Sequence, residues 1–456
     1  MSARTGLRLL NDVHSRLNAT IAEVIRPTDL TELVAVVKVA AQRGRPVIAS
    51  GSRHAMGGQQ FCDRGLVVDT LGLNRVLAFD ATRGVIEVEA GIEWHELVAF
   101  LQRSSWSIVQ KQTGAERLTL GGAVSANIHG RGLSLCPIVQ DLECLTLVNA
   151  RGEFIRCSRE ENAELFRHAV GGYGLFGCIY SVTLRLMHRS LLSRRVRMIR
   201  AEQVVSELHT RIEAGALYGD WQFSIDSASE DFLDLGVCST YERDEDGSIA
   251  TGQRQLSEAD WCRLLRLAHT DKAGAFDEYS RYYLSTDGQR YWSDTHQLGA
   301  YVDSYHDSID AVLGCRGSEM ISEYYVPRER LAGFLRSARE HLRACRANVI
   351  YGTVRLIERE TDTALPWARE SWACIVFNLH VDHAPVEISR AGSAFRGLVD
   401  CALAFGGSYY LTYHRWATRE QALAAHPALA DFLACKRQVD PAEVFQSDWY
   451  RHFATL

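Results

Sequence analysis

The sequence predicts an α+β protein built in two parts, and three observations carry that prediction. Segments with strand and helix periodicity alternate along roughly the first 190 of the 456 residues. Beyond them come strands rich in β-branched and aromatic residues with helices between, the pattern of an antiparallel sheet covered by helices. Three glycine-rich segments punctuate the first part, so backbone comes close to whatever that part encloses. A chain of this length can bury two separate cores.

In "RPTDLTELVAVVKVAAQRGRPVIAS", Thr28 or Asp29 is an N-cap, apolar residues recur at helical spacing through Ala41, and Gly44 stops the helix. "PVIAS" then reads as a short buried strand, "GLVVDT" as a strand, "GVIEVEAG" as a strand of period two and "EWHELVAFLQRS" as a helix. "LECLTLVNARGEFIRCS" is a hairpin turning at residues 150–152, "SREENAELFRHAV" a capped helix, and "GCIYSVTLRLMHR" a long strand that closes the region. Further strands follow in "DWQFSIDSASEDFLDLGVCSTYE", "GSEMISEYYVPRERLAGFLRSARE", "VIYGTVRLIERE" and "SWACIVFNLHVDH". Residues 244–303, charged with interleaved aromatics, read as an excursion or lid, and the last segment ends in a helix and an Asp-Pro turn. The expected divisions are residues 1–190, 191–410 and 411–456.

Composition excludes several classes. A formal net charge of −6 without a dense Lys/Arg run argues against a nucleic-acid or anionic-membrane surface. No run approaches the ~20 apolar residues of a membrane span, and the first 20 residues have no apolar core before a small-residue cleavage site, so a cytoplasmic location is expected. Twelve cysteines without CxxC spacing read as reduced, mostly buried thiols rather than a disulfide or zinc framework. "HVDH" puts His380 and His383 on opposite faces of a strand, and no metal site is expected.

Gly172-Tyr-Gly174-Leu-Phe-Gly177 fits the dinucleotide fingerprint by letter, but a helix precedes it and a strand follows, the reverse of what a pyrophosphate at a helix N-terminus needs. The segments "SGSRHAMGG" and "TGAERLTLGGAVSANIHGRG" read as loops whose backbone N–H groups form nests for an anion. With the turn at residues 171–177, they offer an enclosure for a long phosphate-bearing cofactor that uses no helix dipole.

The order of these motifs, from "RP-x-D" through "SGSRHAMGG", "GLVVD", "GVIEVEAG", "TLGGAVSANIHGRG" and "VGGYGLFGCI", resembles the FAD-binding domain of the vanillyl-alcohol oxidase superfamily. Within it the chain looks closest to the sugar and polyol branch. The resemblance implies a two-domain, PCMH-type FAD-binding fold with an α+β substrate cap. It implies that Ser50, Gly51, Ser52, Arg53, Ala55, Gly57 and Gly58 hold the cofactor together with Gly114, Thr119, Gly121, Gly122 and Ser125. Asn127, His129 and Gly130 would pass the flavin ring, and Gly174, Gly177, Cys178 and Ile179 would lie towards the adenine. In relatives carrying Arg-His at the first loop the histidine is bonded to the flavin's 8-methyl carbon, which makes His54 the expected attachment point. Ile128 stands where a small residue admits oxygen in the aldonolactone enzymes, which leans towards a dehydrogenase or a slow oxidase.

For the cap, period two puts Glu323 and Tyr325 on one face, and likewise Asn378 and His380. Arg355 matches a substrate-binding arginine of the branch, although Thr353 stands where those enzymes often have an acid. Gln222, Tyr325, Asn378 and His380 are the expected substrate contacts. Tyr413 falls near the position of a lysine in relatives, so Tyr413 or His414 is expected to take the hydroxyl proton, with Glu323 and Arg355 completing the catalytic set. The implied activity is oxidation of a CH–OH group of a sugar, polyol or sugar-derived small molecule, with electrons passed to oxygen or another acceptor. Oxidation of an aromatic or specialised natural product, double-bond reduction and a flavin-lacking scaffold are the alternatives.

Overall fold

A computed structural model describes residues 6–244, 247–299 and 305–455. Of the segment read as an excursion, residues 245, 246 and 300–303 lie outside the described residues.

The helix Leu30–Gln42 starts where Asp29 accepts the Glu32 backbone N–H, and it buries Leu33, Val37 and Ala40, one stripe at helical spacing. It packs on a four-stranded sheet in the order Leu7–Leu10, Thr20–Ile25, Leu66–Asp69, Val47–Ser50, whose last two neighbour pairs are parallel. A second sheet is antiparallel throughout and orders Val76–Asp80, Val85–Glu89, Cys178–Arg185, Leu142–Val148 and Phe154–Ser158.

One expectation fails here. The second glycine-rich segment is not a loop throughout: Leu120–Ala126 is a short helix whose N-cap, Thr119, accepts the Gly122 N–H. Its two glycines are there for contact. A Cβ at Gly121 would meet the Ala90 carbonyl, so the helix lies hard against the end of the second sheet.

The third glycine-rich turn does have a helix before it, Ala163–Ala169, and the strand Cys178–Arg185 after it. Its glycines press on protein. A Cβ at Gly172 would sit on the His168 carbonyl oxygen, and one at Gly177 would meet Leu147 and the Val148 carbonyl. The Gly171 and Tyr173 N–H groups bond the Val124 and Ser125 carbonyls, so this turn holds the short helix in place.

The third large sheet has eight antiparallel strands in the order Arg290–Trp292, Leu191–Arg200, Leu235–Arg243, Ala216–Phe223, Val349–Ile357, Trp372–Asp382, Gly317–Pro327 and Ser408–Tyr409. One face is apolar and covered by the helices Val204–Glu213, Leu331–Ala344 and Pro385–Ala404. The other is polar: register puts Gln222, Thr353, Val376 and Glu323 side by side across four strands. Against this polar face the excursion folds as two helices, Glu258–Thr270 and Lys272–Leu284, the first opened by a Ser257–Asp260 capping box.

After Tyr409 the chain runs back to the first sheet. The Met56 and Gly57 N–H groups bond the Thr412 carbonyl, and Phe445 bridges Val47. The helix Asp448–Ala454 follows. No helix of the described residues is long and apolar enough to cross a membrane. All twelve cysteines are unpaired, and only Cys262 is exposed.

Candidate functional site

A cavity of about 1020 Å³ lies between the glycine-rich segments and the polar face of the eight-stranded sheet. That is at the upper end of small-molecule and cofactor sites, typically about 300–1,000 Å³.

The first glycine-rich loop leaves the end of Val47–Ser50 and enters the cavity with Gly51, Ser52, Arg53, His54 and Ala55. Arg53 is held at φ 61, an unfavourable conformation for a side chain with a Cβ, immediately before the histidine. His54 Nδ1 lies 2.9 Å from His14 Nε2, and the Arg117 carbonyl also contacts the ring. Burial, then the neighbouring His14 and Lys111, pulls the His54 pKa well below its ordinary value, so the imidazole is neutral.

From the second segment, Gly114, Thr119, Gly122, Ile128 and His129 line the cavity. A Cβ at Gly114 would meet nothing within 4 Å. The Gln112 Nε2, at the cavity, has no hydrogen-bond partner among the described residues. Open backbone, a capped helix start, a neutral histidine and an orphaned amide nitrogen fit a long polar cofactor laid along this wall. Ser50, Gly57, Gly58, Gly121, Ser125, Asn127 and Gly130 sit behind it. Asn127, left-handed at φ 47, closes the short helix and accepts the Val139 N–H. Gly174, Gly177, Cys178 and Ile179 do not reach the cavity, and Cys178 is packed in the first sheet's core.

On the opposite wall Glu323 is the centre of a buried network. It accepts from His129 Nε2 at 2.6 Å, from the Tyr325 hydroxyl at 2.5 Å, from Cys374 Sγ at 3.3 Å and from the Tyr413 hydroxyl at 3.4 Å. Burial alone would raise its pKa. The His129 contact, the Tyr325 hydrogen bond and the Arg355 charge outweigh burial and hold it at about 2. His129, Glu323 and Cys374 form the one compact group of possible metal ligands among the described residues, and their contacts are hydrogen bonds to one another. Arg355 is buried at the cavity with no partner for Nε. Tyr413 lines the cavity, and burial followed by the Glu323 charge pushes its pKa well up, so it donates a hydrogen bond and keeps its proton.

His414 is not brought to the cavity; it stacks on Trp416 at 4.2 Å between ring centroids. Tyr325 is fully buried behind Glu323, stacked on Trp367. Gln222 and Asn378 line the cavity, whereas the His380 ring meets His269 edge-on. His383 bonds the Ser318 hydroxyl at 2.7 Å.

Sequence reasoning did not single out His14, Gln112, Glu319, Arg131, Arg194 or Tyr241, all of which line the cavity. Glu319 shares its face with Glu323 by the same period of two, so a signal was there. Burial raises its pKa to about 7, and among the described residues its one side-chain partner is Asn378 Nδ2. His14 stands alone in "NDVHSRLN" and carries no signal.

Residues 21–158 match the family described as FAD binding domain. The chain is 31% identical over 175 residues to decaprenylphosphoryl-beta-D-ribose oxidase of Mycolicibacterium smegmatis, covering 38% of each chain. It is 30% identical over 168 residues to L-gulono-1,4-lactone dehydrogenase of Mycobacterium tuberculosis, covering 36% of this chain and 39% of that one. To bovine L-gulonolactone oxidase it is 26% identical over 188 residues, covering 41% and 42%. The chain thus spans about two fifths of the length of these curated relatives.

Proposed function

We propose that the protein is an FAD-dependent oxidoreductase that oxidises a CH–OH group of a sugar, polyol or sugar-derived metabolite. The carrying observation is the shared cavity: loops of the FAD-binding domain form one wall, and a polar sheet face with Glu319, Glu323, Arg355, Asn378 and Gln222 forms the other. In this reading residues 1–190 hold the cofactor, residues 191–410 roof it and residues 411–456 return to the first part. Bound FAD supplies the hydride acceptor. Arg355 and Asn378 orient neighbouring hydroxyls, and the excursion's helices exclude water. The two carboxyl groups divide the remaining work. Glu323, held ionised near pKa 2, is a fixed charge, while Glu319, near pKa 7, takes the hydroxyl proton. Anaerobic addition of polyols to the flavin-loaded protein tests this: a hydride donor bleaches the yellow flavin, and failure of every hydroxyl donor to bleach it would remove the reading.

His54 is the attachment point in this proposal. Its neutral imidazole would hold the flavin through a bond to the 8-methyl carbon, for which the methyl group and the ring nitrogen would each give up a proton and an acceptor such as oxygen would take the two electrons. Intact mass of the denatured protein should show a flavin-sized increment that His54→Ala abolishes. An unmodified mass in a still-yellow protein keeps the cofactor and removes the bond. Electrons leave to oxygen or another acceptor, and Ile128, at the cavity, slows the oxygen route; Ile128→Ala should raise the rate of reoxidation by oxygen. The twelve unpaired cysteines suit a reducing, cytoplasmic location.

A further inference from the structure

Resting on that reading, we propose that one end of the cavity is an oxyanion site in which Arg131 and Arg194 receive a carboxylate or phosphate carried by the substrate. The preferred substrate is then an acidic polyol or sugar rather than a neutral one.

Arg194 lies on Leu191–Arg200 directly opposite Tyr241 on Leu235–Arg243. Its Nε and Nη2 both donate to the Tyr241 hydroxyl, at 3.1 and 2.8 Å, and Nη1 donates to Thr286 Oγ1 at 2.8 Å. Arg194 is 8% exposed, and its guanidinium sits 4.4 Å from the centre of the Tyr291 ring. Among the described residues no carboxylate lies within ion-pair distance of it.

Arg131 arrives from the other wall, just after the short helix. It lies 5.4 Å over the same Tyr241 ring and donates to the His296 carbonyl at 2.9 Å. Its nearest carboxylate, Asp220, is 3.7 Å away and already accepts from Thr353 Oγ1 at 3.2 Å and Gln222 Nε2 at 3.3 Å.

Of these two largely enclosed guanidinium groups, only Arg131 has a carboxylate nearby, and that one is 3.7 Å away and partly committed. Uncompensated positive charge in a low-dielectric cavity is costly, and aromatic faces offset only part of it. A bound anion removes the imbalance, and the guanidinium fork matches the oxygens of carboxylate and phosphate. His296 is 7% exposed and lines the cavity beside Arg131, its ring reached by the Trp292 and Ser293 backbone. The same two charges act on Tyr241: burial would raise its pKa, but Arg194 and Arg131 pull it below the ordinary phenol value.

The test uses the flavin-loaded full chain with D-gluconate, D-sorbitol 6-phosphate and neutral D-sorbitol, followed by calorimetry and, separately, by anaerobic flavin bleaching. At least one anion should bind tenfold or more tightly than sorbitol, its affinity should fall with added salt, and gluconate against phosphate identifies which oxyanion fits. Arg194→Gln should weaken anion binding about tenfold or more, with Arg194→Lys intermediate. If Arg194→Gln does not fold, Arg131→Gln and the salt dependence of the native protein decide. Sorbitol binding as tightly as both anions, or Arg194→Gln holding the anion unchanged, overturns the site. Anion binding without bleaching by any of the three upholds it and counts against polyol oxidation. Equal bleaching by all three upholds oxidation and overturns the site.

Discussion

Glu319 and Glu323 stand four residues apart on one strand face, and the same side chain takes two characters there. Glu323 is ringed by donors that hold its pKa at about 2, whereas Glu319 accepts from the Asn378 amide and burial raises its pKa to about 7. A proton acceptor must be ionised, so flavin reduction should rise as pH passes through about 7. Glu319→Gln should remove that step and lower the rate by ~10²–10⁴-fold. The same shift predicts a stability effect of definite sign. The folded pKa is raised from the ordinary 4.5 to about 7, so the fold favours the protonated form. That contribution is fully present below pH 4.5 and is lost as pH rises through 7. Melting temperatures of native protein and Glu319→Gln should therefore converge or cross between those limits, and parallel curves would refute the assignment. Period two was enough to find Glu323, but which residue of that face meets Asn378, or that Arg194 faces Tyr241, depends on strand register. Register is set by the whole sheet and is not written in any one strand.

Among elements, the strands with β-branched runs or clean alternation were legible. Leu7–Leu10, Thr20–Ile25, Val76–Asp80 and the arginine-rich Leu191–Arg200 were not, because pairing with neighbours rather than their own pattern makes them strands. The short helix Leu120–Ala126 was not legible either: two glycines in seven residues have poor intrinsic propensity, and contact with Ala90 and the strand Cys178–Arg185 decides the outcome. The excursion hid two amphipathic helices because their apolar residues face a cavity and are mixed with tyrosines and charges. Thr119 carries the start of the short helix and also meets Gly51 across the cavity wall. Thr119→Ala should cost about 1 kcal/mol through loss of the cap, read as a lower melting temperature, and should loosen flavin retention. A variant that keeps both unchanged would show that the helix start takes no part in holding the cofactor wall.

At the scale of the molecule, the returning C-terminal segment ties the two walls of the cavity to one clamp. The Thr412 carbonyl accepts from Met56 and Gly57, which follow His54, while the adjacent Tyr413 reaches Glu323 on the sheet. Asp448 locks that clamp: its carboxylate accepts from Thr20 Oγ1 at 2.7 Å and the Asp63 N–H at 2.8 Å, and its carbonyl accepts from Arg415 at 2.6 Å. Asp448→Ala leaves the buried Thr20 hydroxyl unpaired and should cost about 1–3 kcal/mol. Because the clamp positions both walls, the loss should also appear as a lower fraction of chains carrying flavin. Added FAD should restore part of the melting temperature, since a ligand bound only by the folded state stabilises it by mass action. A purely local role for Asp448 predicts a lower melting temperature with unchanged flavin content, and the two measurements on one variant separate these outcomes.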